Sequence, residues 1–103
     1  MMEAYKTILS ASEGYYKSKE SKFLSFAFPA SDEAEIKKLE QTIKKKYHDA
    51  THHCYAYRIG IDSLQYRLND DGEPSGTAGK PIYGQILAYN LTNIYIIVVR
   101  YFG

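Results

Sequence analysis

The chain has no tryptophan, a single cysteine, three prolines and no excess of either charge. Each shortage closes a class of function. Cys54 alone cannot form an internal disulfide, which fits a reducing compartment. Thirteen lysines and arginines against twelve acids leave a formal net charge of +1. That excludes the cationic balance of a dedicated duplex-DNA binder and requires any nucleic-acid contact to come from local patches and stacking. The longest apolar run, Ile94 to Val99, is far too short to span a bilayer, and nothing at the N-terminus resembles a cleavable signal. The expectation is a cytoplasmic protein without membrane contact. At 103 residues, 45% hydrophobic and 24% charged, the chain suits one small domain over 1–103. With eleven tyrosines and no tryptophan, any aromatic surface is phenolic.

Hydrophobic periodicity predicts strands at Tyr5 to Leu9 and Lys22 to Phe28, separated by a mobile polar link from Ser10 to Ser21. A helix follows from Asp32 to about Tyr47, capped by Ser31, with Ile36, Leu39, Ile43 and Tyr47 on one face. His52 to Ile59 and Leu64 to Leu68 read as a hairpin. A helix of about three turns begins near Pro81 and offers Ile82, Ile86 and Leu87 for packing. Ile94 to Phe102 is apolar on both alternating sets, as a central strand would be. Together these predict an α+β, two-layer α/β sandwich: a mixed sheet of about five strands with two helices on one face. On the strand from His52, Cys54 and Ala56 alternate with Tyr55 and Tyr57. One face then admits a close helix, and the other carries a tyrosine array that Tyr95 and Tyr101 extend, open for stacking. Tyrosine is also an ordinary strand former.

The most unusual stretch is NDDGEPSGTAGKP, Asn69 to Pro81, which has no aliphatic residue larger than alanine. Gly72, Gly76 and Gly79 permit positive φ and close backbone approach, while Pro74 and Pro81 stiffen the loop. Amides from Thr77 onward, at the start of a helix, suit an anion or carboxylate ligand. Asp70, Asp71 and Glu73 complicate that reading. They could serve as acid/base groups or hold magnesium with Lys80 near a phosphate, or they could cap amides in a rigid connection. No hydroxyl residue follows Lys80, so the phosphate-loop motif is not met. His48, Asp49, His52, His53 and Cys54 suggest zinc by residue type. On a strand, however, His52 and His53 point to opposite faces, so no metal site and no cofactor are expected. Cys54 beside His52 lacks an orienting carboxylate and an oxyanion site, which argues against cysteine catalysis.

Three stretches occur in register: DATHHCYAYRIG (Asp49 to Gly60), DDGEPSGTAGKPI (Asp70 to Ile82) and VVRYFG (Val98 to Gly103). In order and spacing they resemble the IMPACT/YigZ family, and with KFLSFAFP and its following helix the similarity runs from about Ser18 to the end. The resemblance implies an N-terminal-type domain like the second domain of a small-subunit ribosomal protein and the fourth domain of elongation factor G. It also implies a βαβ crossover of the uncommon left hand, where sequence reasoning alone selects the right. It implies a translation-linked role: eukaryotic members inhibit the amino-acid starvation kinase by competing for its ribosome-bound activator, and bacterial members have been suggested to bind nucleic acid. No catalytic residues come with it. The matching positions are Asp71, Gly72, Glu73, Pro74, Ser75, Gly76, Thr77, Gly79, Lys80 and Pro81 in the loop, His52, Tyr55 and Tyr57 on the strand, and Arg100 with Tyr101. His53 departs from the family pattern. Because the pattern continues past RYFG, a chain truncated at its C-terminal end is the expectation, with the last strand available for self-association.

The leading functional expectation is a noncatalytic regulator that binds RNA, the ribosome or a ribosome-bound protein through the tyrosine face, Arg58, Arg67, Arg100 and the loop. The alternatives are an enzyme acting on a small phosphorylated or carboxylated ligand at residues 70–81, with Glu73 or Asp71 as acid/base, and a structural dimerisation domain.

Overall fold

The computed structural model describes residues 5–102. In chain order the elements are β1 (Ser12–Ser18), β2 (Ser21–Pro29), α1 (Glu33–Lys46), β3 (His52–Ile59), β4 (Gln65–Asn69), α2 (Gly79–Ala88) and β5 (Ile94–Phe102). The strands form one sheet in the order β1-β2-β5-β3-β4. The α+β class, the five strands and the two helices are as expected. The sheet, however, is antiparallel at every strand pair rather than mixed. The reason is topological: the two helical crossovers do return the chain to a parallel strand, but another strand always lies between. Among the described residues, parallel pairing is confined to an isolated bridge, Lys6 to Leu91.

β5 lies at the centre, flanked by β2 and β3. Its continuous apolar run is used on both sides of the sheet. Tyr95, Ile97 and Val99 join Phe26, Tyr55, Tyr57 and Ile59 in a core closed by Ile36 and Ile43 of α1. Ile94 and Ile96 join Ala56 and Leu68 in a second core closed by Ile82 and Ile86 of α2. The helices therefore sit on opposite faces, not on one face as expected. Alternation along β3 accounts for this: small Cys54 and Ala56 let α2 approach closely, while the ring-bearing face needs the longer α1 to cover it. The crossovers β2–α1–β3 and β4–α2–β5 advance in opposite directions across the sheet. Because their helices lie on opposite faces and the two strand pairs run antiparallel to each other, the crossovers must have opposite hands. One is thus left-handed, against the usual preference.

Local chemistry explains the boundaries. Asp32, rather than Ser31, caps α1, accepting from the Glu35 amide at 2.8 Å, while the Glu35 carboxylate accepts from the Ser31 amide at 2.9 Å. Glu33 and Glu35 open the helix and Lys44, Lys45 and Lys46 close it, as the helix dipole favours. Residues 5–9 form no strand. They run beside residues 90–92, held by Lys6 N–H to Asn90 O at 3.0 Å and Thr92 N–H to Lys6 O at 2.9 Å. The strand that pairs with β2 is instead SEGYYKS, inside the stretch expected to be a mobile link. All seven of its residues are exposed, so it carries no hydrophobic alternation to reveal it. Leu87, expected in the core, faces solvent. β5 has partners on both sides, so the expected self-association through the last strand has no edge to use; the free edges are β1 and β4.

Candidate functional site

The loop between β4 and α2 is organised around its own acids. Asp70 accepts from the amides of Gly76 at 3.0 Å, Ala78 at 3.1 Å and Gly79 at 2.8 Å. These bonds, led by those from Gly76 and Gly79, hold its carboxyl below the ordinary carboxylate range. The amides at the start of α2, expected to face an anion or carboxylate ligand, are instead turned on the chain's own Asp70. The turn at Asp71 and Gly72 takes positive φ at both residues (45° and 87°). It aims the Asp71 carboxylate at the His53 amide, 2.6 Å away. Gly79 lies so close to β4 that a Cβ there would meet the Asn69 backbone nitrogen at 2.9 Å. That close approach is the service this glycine performs.

Glu73 is the hub. His52 and Arg100 face each other across the β3–β5 pair and so share one face of the sheet. Arg100 Nη1 donates to Glu73 Oε1 at 2.7 Å and Oε2 at 2.8 Å, and His52 Nε2 meets Oε1 at 2.9 Å. The other side of the His52 ring, Nδ1, meets the Asp71 carbonyl at 2.6 Å. Arg100 Nη2 donates to Ser21 Oγ at 3.2 Å, joining β2 to the cluster. His53 points to the opposite face, as expected from strand alternation, with Nε2 against the Tyr47 carbonyl at 2.8 Å. The two histidines share no ligand position, and no group of metal-ligating side chains exists among the described residues.

Cys54 donates to the Asp70 carbonyl at 3.1 Å. Burial, reinforced by the charges of Glu73, Asp71 and Asp70, pushes its thiol up to about 12, which leaves no thiolate for nucleophilic work near neutrality. A cleft of about 120 Å³ lies beside it, lined by Phe23, Thr77, Ile82, Val98 and Arg100 among others. The Glu73 carboxylate and both His52 ring nitrogens already have partners within the protein. The geometry therefore gives no free general base aimed into this cleft.

The other expected binding residues scatter. Tyr55 and Tyr57 are only 5% and 6% exposed, covered by α1 and stacked on each other at 6.3 Å. The expected stacking platform is therefore core, and Tyr95, fully buried, belongs to the same core. Arg58 is buried under the Tyr5 ring, 4.5 Å from its centroid, on the opposite face. Tyr101 donates to Asp49 Oδ1 at 2.9 Å near the end of α1. Pro74, Ser75, Gly76, Thr77, Lys80, Pro81 and Arg67 lie at the exposed surface.

An accessible surface that is both aromatic and cationic lies on the β1–β2 hairpin. Cross-strand register places Tyr15 beside Leu24, and Lys17 beside Lys22 and then Tyr101, on the same face as α1. With Lys19 at the hairpin tip these residues line an open cleft of about 660 Å³, which also carries Glu20 and Asp49. Lys46, the last residue of α1, lies over the Tyr47 ring at 5.5 Å. Sequence reasoning missed this face because it read β1 as a link; the one available signal was the β-favouring pair Tyr15-Tyr16 within a lysine-rich stretch.

Comparison with known proteins bears on the whole fold. Residues 19–103 match the Impact N-terminal domain. The chain is 39% identical over 103 residues to IMPACT family member YvyE of Bacillus subtilis (strain 168), covering all of this chain and 48% of that protein. It is 37% identical over 87 residues to IMPACT family member YigZ of Escherichia coli (strain K12), covering 82% of this chain and 43% of that protein. A solved structure titled "Crystal structure of an hypothetical protein" superposes with a TM-score of 0.88 at 33% identity, over 92% of this chain and 47% of the other. The chain thus spans about half the length of the curated relatives it matches. On the matched residues and the shared fold, this chain belongs to the IMPACT family, through that family's N-terminal domain.

Proposed function

We propose that this domain is a noncatalytic module that docks on RNA of the translation apparatus through the α1-side face of the β1–β2 hairpin. The observation that carries the reading is the open cleft in which Lys17, Lys19 and Lys22 stand beside Tyr15 and Tyr101. Phenolic rings stack on bases at about 1–3 kcal/mol each regardless of base identity, and ammonium groups at a hairpin tip neutralise phosphates. The near-neutral chain confines this attraction to one patch, which suits recognition of a mixed RNA and protein surface. Internal use of Asp70, Asp71 and Glu73, together with the inert Cys54, speaks against the small-ligand enzyme.

Cosedimentation with purified ribosomal subunits over a salt series tests this. Three lysines neutralising phosphates of an unpaired strand predict a log–log salt slope of about −2. Lys17→Ala with Lys22→Ala should flatten the slope, and Tyr15→Ala should weaken binding at every salt concentration. A folded wild-type chain that fails to bind at low salt, or variants that bind like wild type, would overturn the proposal.

A further inference from the structure

We propose that His52 is a proton-operated latch on the loop between β4 and α2: its ring holds the loop closed when protonated on both nitrogens and releases it when one proton leaves. Nδ1 lies 2.6 Å from a carbonyl oxygen, Asp71 O, and Nε2 lies 2.9 Å from a carboxylate oxygen, Glu73 Oε1. A carbonyl and a carboxylate only accept, so both ring nitrogens must donate, and only the imidazolium has two N–H groups. Arg100 donates to both oxygens of Glu73, so each of them already serves as an acceptor.

The latch grips the loop at two separate points, Asp71 and Glu73, on either side of Gly72. A Cβ at Gly72 would sit 3.3 Å from the ring's Cε1, so the turn wraps the imidazole edge. Removing one proton turns one of the two contacts into a lone pair facing an oxygen. Three kinds of charged or titratable group face the ring. β5 contributes Arg100, opposite in register, and the loop contributes Asp71 and Glu73, with Asp70 behind them. β3 contributes Cys54, two residues along the same face and bonded to the Asp70 carbonyl; His53 turns to the other face. The loop's hold is complete while both ring nitrogens carry a proton and is lost once either proton leaves. This device is independent of what the hairpin binds.

The test follows the ring and the loop together in the intact chain by NMR. Ring nitrogens of ¹⁵N-histidine report protonation between about pH 5 and 8. In parallel, amide hydrogen exchange is read at Glu73, Gly76 and Thr77 and referenced to Ile97 in β5, which removes the intrinsic pH dependence of exchange. The expected result is a doubly protonated His52 ring at the acid end, then about a fivefold loss of loop protection relative to Ile97, the worth of one net hydrogen bond, at the same midpoint as the ring. His52→Gln should abolish that step. A ring found as a single neutral tautomer throughout, or loop protection that does not change when the ring titrates, would overturn the latch. Because ring and loop midpoints are both read in the wild-type chain, the outcome does not depend on the variant folding.

Discussion

Asp70 does for the second helix what a bound anion would otherwise do, and this decides how the most conspicuous loop of the chain should be read. The aspartates and glycines at residues 70–79 were legible as a rigid connection into a helix. Which acid caps which amide was not, because Asp70 reaches six to nine residues ahead and the contact depends on how the turns at Asp71, Gly72 and Gly76 bend the chain back. The capped carboxylate makes a directional prediction. Its folded-state value lies below the ordinary 3.8, so its stabilisation is present in full above that value and drains away as pH falls through the lower, folded-state one. Asp70→Asn keeps an acceptor but loses the charge. It should lower stability near neutrality and flatten the fall in stability toward acid, read as urea midpoints from pH 7 down to about 2. An unchanged acid slope in the variant would show that the three amide bonds do not hold the charge in solution.

Within the elements, the clearest contrast is between two glycines of α2 that look alike in sequence. Gly79 approaches β4 so closely that an added methyl would meet the Asn69 nitrogen at 2.9 Å and Leu68 Cβ at 3.1 Å, whereas at Gly84 nothing lies within 4 Å. The first neighbour is backbone and cannot swing aside. Gly79→Ala should therefore cost about 1–3 kcal/mol through overpacking. Gly84→Ala, on the exposed side of the helix, should stabilise by about 0.5–1 kcal/mol, because alanine is the better helix former. Urea denaturation of the two variants checks both signs, and a shared sign would contradict the close β4–α2 approach. Helix α1 shows what local sequence does convey: its amphipathic period predicted its span, and only the cap moved by one residue, to the side chain that accepts from the Glu35 amide.

For the molecule as a whole, the legible part was that β5 is a central strand, apolar on both alternating sets, and that β3 separates small residues from rings. The alternation along β3 offered one face for close approach and one bearing rings, but it did not say that a helix would cover each of them. That choice is set by the hand of each crossover, a property of chain paths that no window of residues contains. The same blindness hid β1, whose pairing with β2 is written in backbone hydrogen bonds and not in apolar alternation. The described chain measures 48 × 24 × 23 Å. β1 is an edge strand with every residue exposed; ring contact between Tyr16 and Phe23 at 6.0 Å is among its few side-chain supports. Burial falls from β5, where Tyr95, Ile97 and Val99 are fully enclosed, to the edge at β1. Local opening should follow that gradient, because a strand that buries little apolar surface can detach without exposing the core. Native-state hydrogen exchange is thus expected to show β1 amides bonded to β2 opening through a subglobal step, at a free energy well below that of Ile97 and Val99, which should exchange only on global unfolding. Equal opening energies at the two sites would mean that the hairpin and the core unfold as one unit. The lysine and tyrosine face would then be as rigid as the sheet beneath it, rather than an edge able to adjust to a partner.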